Sequence, residues 1–264
     1  MAQSAAAGAE LAPHKALYDI RLKGARNGSQ IVDIKGKMLY EWGEDCDGWN
    51  TKHRFDILYE YADSPAMRIT SDFSNFESYD SESLNFVSTR KKDGQPFEAV
   101  RGAAQIAQNK KGKADYTRPK GLSYDLPAGT LFPTAHSMDV LKAIKAGRKF
   151  HNAVIFDGSD EDGPVEVNTF IGAKIEAPLH DPAGASIDQA LLQSPAHKVR
   201  LAFFPLKDRL ETADYEMSLT LLENSVITDM SIDYDDFTIH QSLIALEPVA
   251  PACDAKHRPD PKSE

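Results

Sequence analysis

Apolar and polar residues alternate along most of this chain. Over residues 14–23, Ala16, Tyr18, Ile20 and Leu22 share one face, while Lys15, Asp19, Arg21 and Lys23 share the other. That period of two is the mark of a half-buried strand. Asn27-Gly28 follows as a hairpin turn. Residues 31–42 repeat the pattern with Val32, Ile34, Met38, Tyr40 and Trp42 on the apolar face, and residues 49–61 with Trp49, Phe55, Ile57, Tyr59 and Tyr61. The same alternation predicts strands over 67–76, 83–91, 97–107, 150–156, 165–175, 199–204, 214–222, 225–234 and 237–246. About twelve strands joined by short turns imply one large antiparallel sheet, curled into a barrel or half-barrel.

One stretch breaks the alternation. Between Ala135 and Gly147, Met138, Leu141, Ile144 and Lys145 fall at helical spacing, with Asp139 in the first turn and Gly147 at C′. Pro133-Thr134 offers the start, with Thr134 as the expected N-cap. A weaker helix is expected over 186–193, opened by the capping box Ser186-Ile187-Asp188-Gln189. No Pro/Ser-rich linker divides the chain. The reading is a flexible segment over 1–10, a single β domain over 11–254 and a flexible tail over 255–264.

Composition narrows the function. The 264 residues are 41% hydrophobic, enough for a sizeable core, and the net charge of −10 disfavours nucleic acid and anionic membrane surfaces. The basic runs Lys91-Lys92-Asp93-Gly94 and Asn109-Lys110-Lys111-Gly112-Lys113 read as solvated hairpin tips. No apolar run approaches the length of a transmembrane helix. The small, unpatterned opening fits either the start of a mature secreted protein, with Met1 in place of a removed signal peptide, or a disordered cytoplasmic tail.

Candidate chemistry is sparse. Asp157-Gly158-Ser159-Asp160-Glu161-Asp162-Gly163 gathers carboxylates, but Asp162 and Asn168 stand where a calcium loop needs Gly and Glu. It reads as an acidic hairpin turn, and no metal or cofactor is expected. The histidines, His14, His53, His136, His151, His180, His197, His240 and His257, show no ligand spacing and read singly as surface or capping residues. The stretches around Ser123 and Ser186 lack the second Gly of a nucleophile elbow, and Asp235-Asp236 is a weak glycosidase candidate. The abundant aromatics on strand faces suit either a packed core or an apolar cavity. Cys46 and Cys253 have no CxxC partner and lie in connections rather than on apolar faces. They read either as one long-range disulfide or as two free thiols.

Four stretches taken together resemble the cell envelope integrity EipB family of periplasmic proteins. They are residues 11–18 (LAPHKALY), 126–136 (LPAGTLFPTAH), 156–164 (FDGSDEDGP) and 201–205 (LAFFP), in order over nearly the whole chain. The resemblance implies export to the periplasm with a signal peptide removed. It implies a spiral-like, strongly bent antiparallel sheet with one prominent helix, broadly similar to the half-barrels of the lipoprotein carriers LolA and LolB. It also implies a disulfide falling on Cys46 and Cys253, a non-enzymatic role in envelope integrity and stress resistance, and association with an envelope protein of the TPR-repeat type. Three functions follow for comparison: an interaction protein, a carrier or sensor of a lipid or other apolar ligand in the concave face, and a cryptic hydrolase.

Overall fold

The computed structural model describes residues 11–107, 111–176, 186–207 and 212–252. The first arm of the fold runs through β1 (His14–Ala25), β2 (Ile31–Glu44), β3 (Gly48–Tyr61), β4 (Met67–Ser78), β5 (Ser83–Lys92), β6 (Gln95–Ile106), β7 (Gly112–Arg118) and β8 (Ser123–Leu126). Helix α1 (Pro133–Lys145) follows. The second arm holds β9 (Phe150–Ile155), β10 (Val165–Ile175), β11 (Ser186–Ile187), a 3-10 turn (Gln189–Leu192), β12 (Ala196–Pro205), β13 (Tyr215–Leu222), β14 (Ile227–Asp233) and β15 (Phe237–Pro248).

All these strands join one sheet in the order β8-β7-β6-β5-β4-β3-β2-β1-β15-β14-β13-β12-β10-β9, with β11 added in parallel to β15. The first and last long strands therefore pair at mid-sheet. Each of the twelve expected strands is present, because period-two patterning is a direct record of a sheet with one dry face.

The ends of this sheet meet without a continuous ladder. The turn after β9 crosses to the far arm, where Tyr116 Oη donates to the Asp160 carbonyl at 2.8 Å and Tyr124 Oη donates to that of Glu161. Phe156 packs edge-on against Phe86 at 5.5 Å between ring centroids, inside a cluster with Leu84, Leu126 and Phe132. Leu131 bridges Ile155 in parallel. The acidic turn is thus a latch that closes the spiral. Two of its carboxylates brace the turn: Asp157 accepts from the Ser159 amide and Asp160 from the Asp162 amide, each at 2.9 Å, and Asp160 also lies 4.0 Å from Arg90 of β5. Gly158, at φ +70, lies so close to the Phe86 ring that a Cβ would stand 2.3 Å from it. Glycine is required there both for the left-handed backbone and for the space.

Several expectations need correction. Strands β7 and β8 were not foreseen; β7 turns only Gly112, Ala114 and Tyr116 inward, too small an apolar signal among Lys113, Asp115 and Thr117. Val32 is 59% exposed, because a register shift between Ile31 and Asp33 in the β2–β3 pairing turns it outward. Ser186 and Ile187 form a strand, not a helix start; Asp188 caps the 3-10 turn by accepting from the Ala190 amide at 2.9 Å. Helix α1 starts at Pro133 with Phe132 as N-cap, so Thr134 and Asp139 are not at the predicted cap and first turn. The C-terminal expectation is met: Gly147 has φ +69, its amide donates to Ile144 O and that of Arg148 to Ala143 O, a Schellman closure. The expected flexible segment 1–10, Cys253, the tail over 255–264, His180 and His257 lie outside the described residues, as do Asn109 and Lys110 of the second basic turn.

Candidate functional site: a chamber under the helix

Strand alternation builds two facing walls. Tyr18 from β1, Met38 and Trp42 from β2, and Thr51, His53 and Phe55 from β3 form one wall. Val199, Leu201, Leu219, Met230 and Ile232 from β12, β13 and β14 form the other, with Gln241 from β15 between them. Helix α1 lies over the gap with His136, Val140 and Leu141 on its buried face. The walls do not fill the space between them. A chamber of about 310 Å³ remains, at the small end of the range for ligand sites.

Its lining is apolar except for a few neutral groups. Among the described residues, no Asp, Glu, Lys or Arg side chain lines it. Tyr18 Oη is satisfied by the Ile227 carbonyl at 2.8 Å, and His14 Nδ1 lies 2.7 Å from the Ala12 carbonyl. His53 is enclosed by aromatic rings, edge-on to Tyr40 at 5.0 Å and to Phe73 at 5.7 Å. Burial pushes the imidazoles of His53 and His136 down to about 4, with the neighbouring His151 adding to the effect at His136. The His14 imidazole is lowered for the same reason. At neutral pH all three are uncharged. His136 Nε2, Gln241 Oε1 and Ser225 Oγ have no hydrogen-bond partner although they are buried.

The helix is pinned at its N-terminus and near its middle. Glu77 of β4 is buried and accepts from the amides of Thr134 at 2.7 Å and Ala135 at 2.8 Å, replacing the missing side-chain cap. Burial raises the Glu77 carboxyl, and those two amides oppose the rise. Near the middle of the helix, Asp139 lies 3.3 Å from His151 Nε2 of β9.

The histidines were expected as surface or capping residues, yet His14, His136 and His197 are buried and His53 is enclosed. Metal-ligand spacing was the wrong test. The usable signal was parity: His14 falls in step with Ala16 and Tyr18, His53 with Phe55 and Ile57, Gln241 with Ile239 and Leu243. A polar residue in step with an apolar face points inward.

The structure gathers no catalytic set in the chamber. Ser231 does contact His240 Nδ1 at 3.0 Å, but alternation puts both on the outer face, where Lys23 Nζ also donates to Ser231 Oγ at 3.2 Å. Among the described residues, no group of three or more His, Cys, Asp and Glu is arranged to hold a metal ion. Asp235 and Asp236 lie in an open, solvent-facing groove beside Tyr59 and Phe237. Cys46 sits in the β2–β3 turn, next to the stacked pair Trp42 and Trp49, 4.7 Å apart. The described end of the chain approaches the same turn: Ala252 N–H donates to the Glu44 carbonyl at 3.2 Å.

Comparison with known proteins agrees with this architecture. The chain is 29% identical over 248 residues to the cell envelope integrity protein EipB of Brucella abortus (strain 2308), covering 93% of this chain and 87% of that one. It superposes on the crystal structure of a β-barrel-like protein from Brucella abortus with a TM-score of 0.83 and 27% identity, covering 92% of this chain and all of that one. A family profile described as EipB-like matches residues 5–250, and the chain belongs to that family.

Proposed function

We propose that this chain is a non-enzymatic periplasmic protein of cell envelope integrity, and that its working part is the chamber, which receives a lipid chain or another apolar ligand. The observation that carries this reading is an unfilled space between the two walls of the sheet, lined among the described residues by uncharged groups. Protein interiors ordinarily fill such space. The envelope role rests on the likeness to EipB, and the absence of carboxylates from the lining supports a binding function over hydrolysis. No helix among the described residues is long and apolar enough to cross a membrane. Residues 11–254 act as one domain in this reading. Native mass spectrometry and lipid extraction of protein purified from envelopes test it. A co-purifying apolar molecule is expected; protein free of any adduct, and unable to take one up, would refute it.

The Cys46–Cys253 disulfide is part of the same proposal. The approach of Ala252 to Glu44 supports it, since a bridge there ties the tail to the β2–β3 turn. The intact mass is expected to fall short of the reduced mass by two hydrogens. Alkylation of both thiols in native material would contradict it.

A second reading is docking onto another envelope protein, for which the resemblance points to the TPR-repeat type. Phe150 and Phe170 favour it: they are 74% and 47% exposed, with rings 5.3 Å apart, and Phe150 stands on the edge strand β9. An exposed aromatic pair at a sheet edge offers apolar surface that a partner can cover. Replacing both by Ser is expected to abolish capture of that partner while leaving the fold intact. Undiminished capture would remove this surface from the account.

A further inference from the structure

The chamber is selective about the head of its ligand as well as its tail. We propose that it takes an uncharged amphiphile, an acyl or similar apolar chain ending in a hydroxyl group, and that His136 and Gln241 receive that hydroxyl. This inference rests on the apolar-ligand reading above and deepens it.

Three observations lead to it. First, the lining has no Lys or Arg to neutralise an anionic head and no Asp or Glu to neutralise a cationic one. An ion taken into such a space without a counter-charge loses its hydration and gains nothing comparable. Second, the lining is not wholly apolar. His136 is 8% exposed and Gln241 1%, and each retains a polar atom, Nε2 and Oε1, with no partner in the protein. Buried polar atoms are seldom left unpaired, and in a chamber open to a ligand they are the groups a ligand's own polar end can pair. Third, the two atoms complement a hydroxyl. Gln241 Oε1 can only accept, so it calls for a neutral donor, which a hydroxyl supplies. The neutral imidazole of His136 can donate to or accept from the same oxygen, according to its tautomer. A plain alkane satisfies neither atom, and a carboxylate presents a second acceptor and a charge to Gln241 Oε1.

Binding of 1-dodecanol, dodecanoate and dodecane to the full chain at pH 7.5, followed by native mass spectrometry and by calorimetry, tests the inference. Dodecanol is expected to bind about tenfold more tightly than either of the others. In Gln241→Leu that advantage over dodecane is expected to shrink to about twofold, with dodecane binding retained. The wild-type series stands without the variant, should Gln241→Leu fold poorly. Dodecanoate or dodecane binding as well as dodecanol would overturn the assignment of the head group while leaving an apolar chamber in place. Failure of all three probes to bind would overturn both readings.

Discussion

The latch and the chamber are made of the same kinds of residue and end in opposite states. Around the latch, Phe86, Phe156, Phe132 and Leu126 interlock, and Gly158 and Gly163 have no room for a Cβ against Phe86 and Tyr124. Under α1, apolar side chains from two walls stop short of one another, and polar atoms stay unpaired. The difference lies in what crosses the gap. At the latch a single turn brings Phe156 and the backbone of residues 157–163 directly onto the opposite arm. At the chamber a helix spans the gap, supported at its N-terminus by Glu77 and near its middle through His151, so the walls beneath are held apart. Two of the family's signature stretches, residues 126–136 and 156–164, thus meet as the closure of the spiral rather than as a site of chemistry.

The largest effect is expected at the latch. Phe86→Ala removes the ring that fills the closure and is expected to cost about 3–5 kcal/mol in denaturant unfolding. Removing a chamber residue of comparable burial, Leu219, by Leu219→Ala is expected to cost only about 2–3 kcal/mol, because its neighbours already border empty space. Equal losses at the two positions would erase the contrast.

Acid acts on the two regions through different groups, and at the chamber the raised Glu77 carboxyl works against the histidines. The folded imidazoles of His53 and His136 lie below the unfolded value of 6.5, so the unfolded chain binds protons first. Stability is therefore lost as pH falls from 6.5 towards 4, by up to about 3 kcal/mol for each histidine. Burial raises the Asp157 carboxyl in the latch, so that group adds stability as pH falls through its folded value. Hydrogen exchange at pH 4.5 is expected to show α1 and β3 opening before residues 157–163. His136→Gln is expected to retain more of its stability at that pH than the wild type does. Simultaneous opening of both regions would mean that they are not separate units.

A smaller effect is expected at the helix cap. Glu77→Gln keeps the shape but gives up the charge facing two amides, and is expected to cost about 1–2 kcal/mol. Exchange protection should fall in α1 while the latch amides remain unchanged.

How legible these regions were follows from their physics. Alternation identified the walls because an inward face must be apolar in every second residue. It missed β7, whose inward face is Gly112, Ala114 and Tyr116, and it misplaced Val32, because a bulge shifts parity without leaving a mark in composition. The latch motif was visible as Asp157 to Gly163, but its contacts with Phe86, Tyr116 and Tyr124 join residues far apart in sequence. The chamber was visible only as a choice between packed core and cavity. Its volume is a small remainder of large packed surfaces, and no single residue encodes it.

Filling the chamber separates an open binding space from a closed one. Leu219→Phe enlarges a lining side chain, and dodecanol binding and unfolding are measured on the same samples. The account predicts that binding weakens at least about tenfold while stability changes by less than about 1 kcal/mol, since the ring enters existing space. A destabilisation of several kcal/mol, in a protein whose wild type binds no apolar probe, would show that the space is closed in solution and contradict the account.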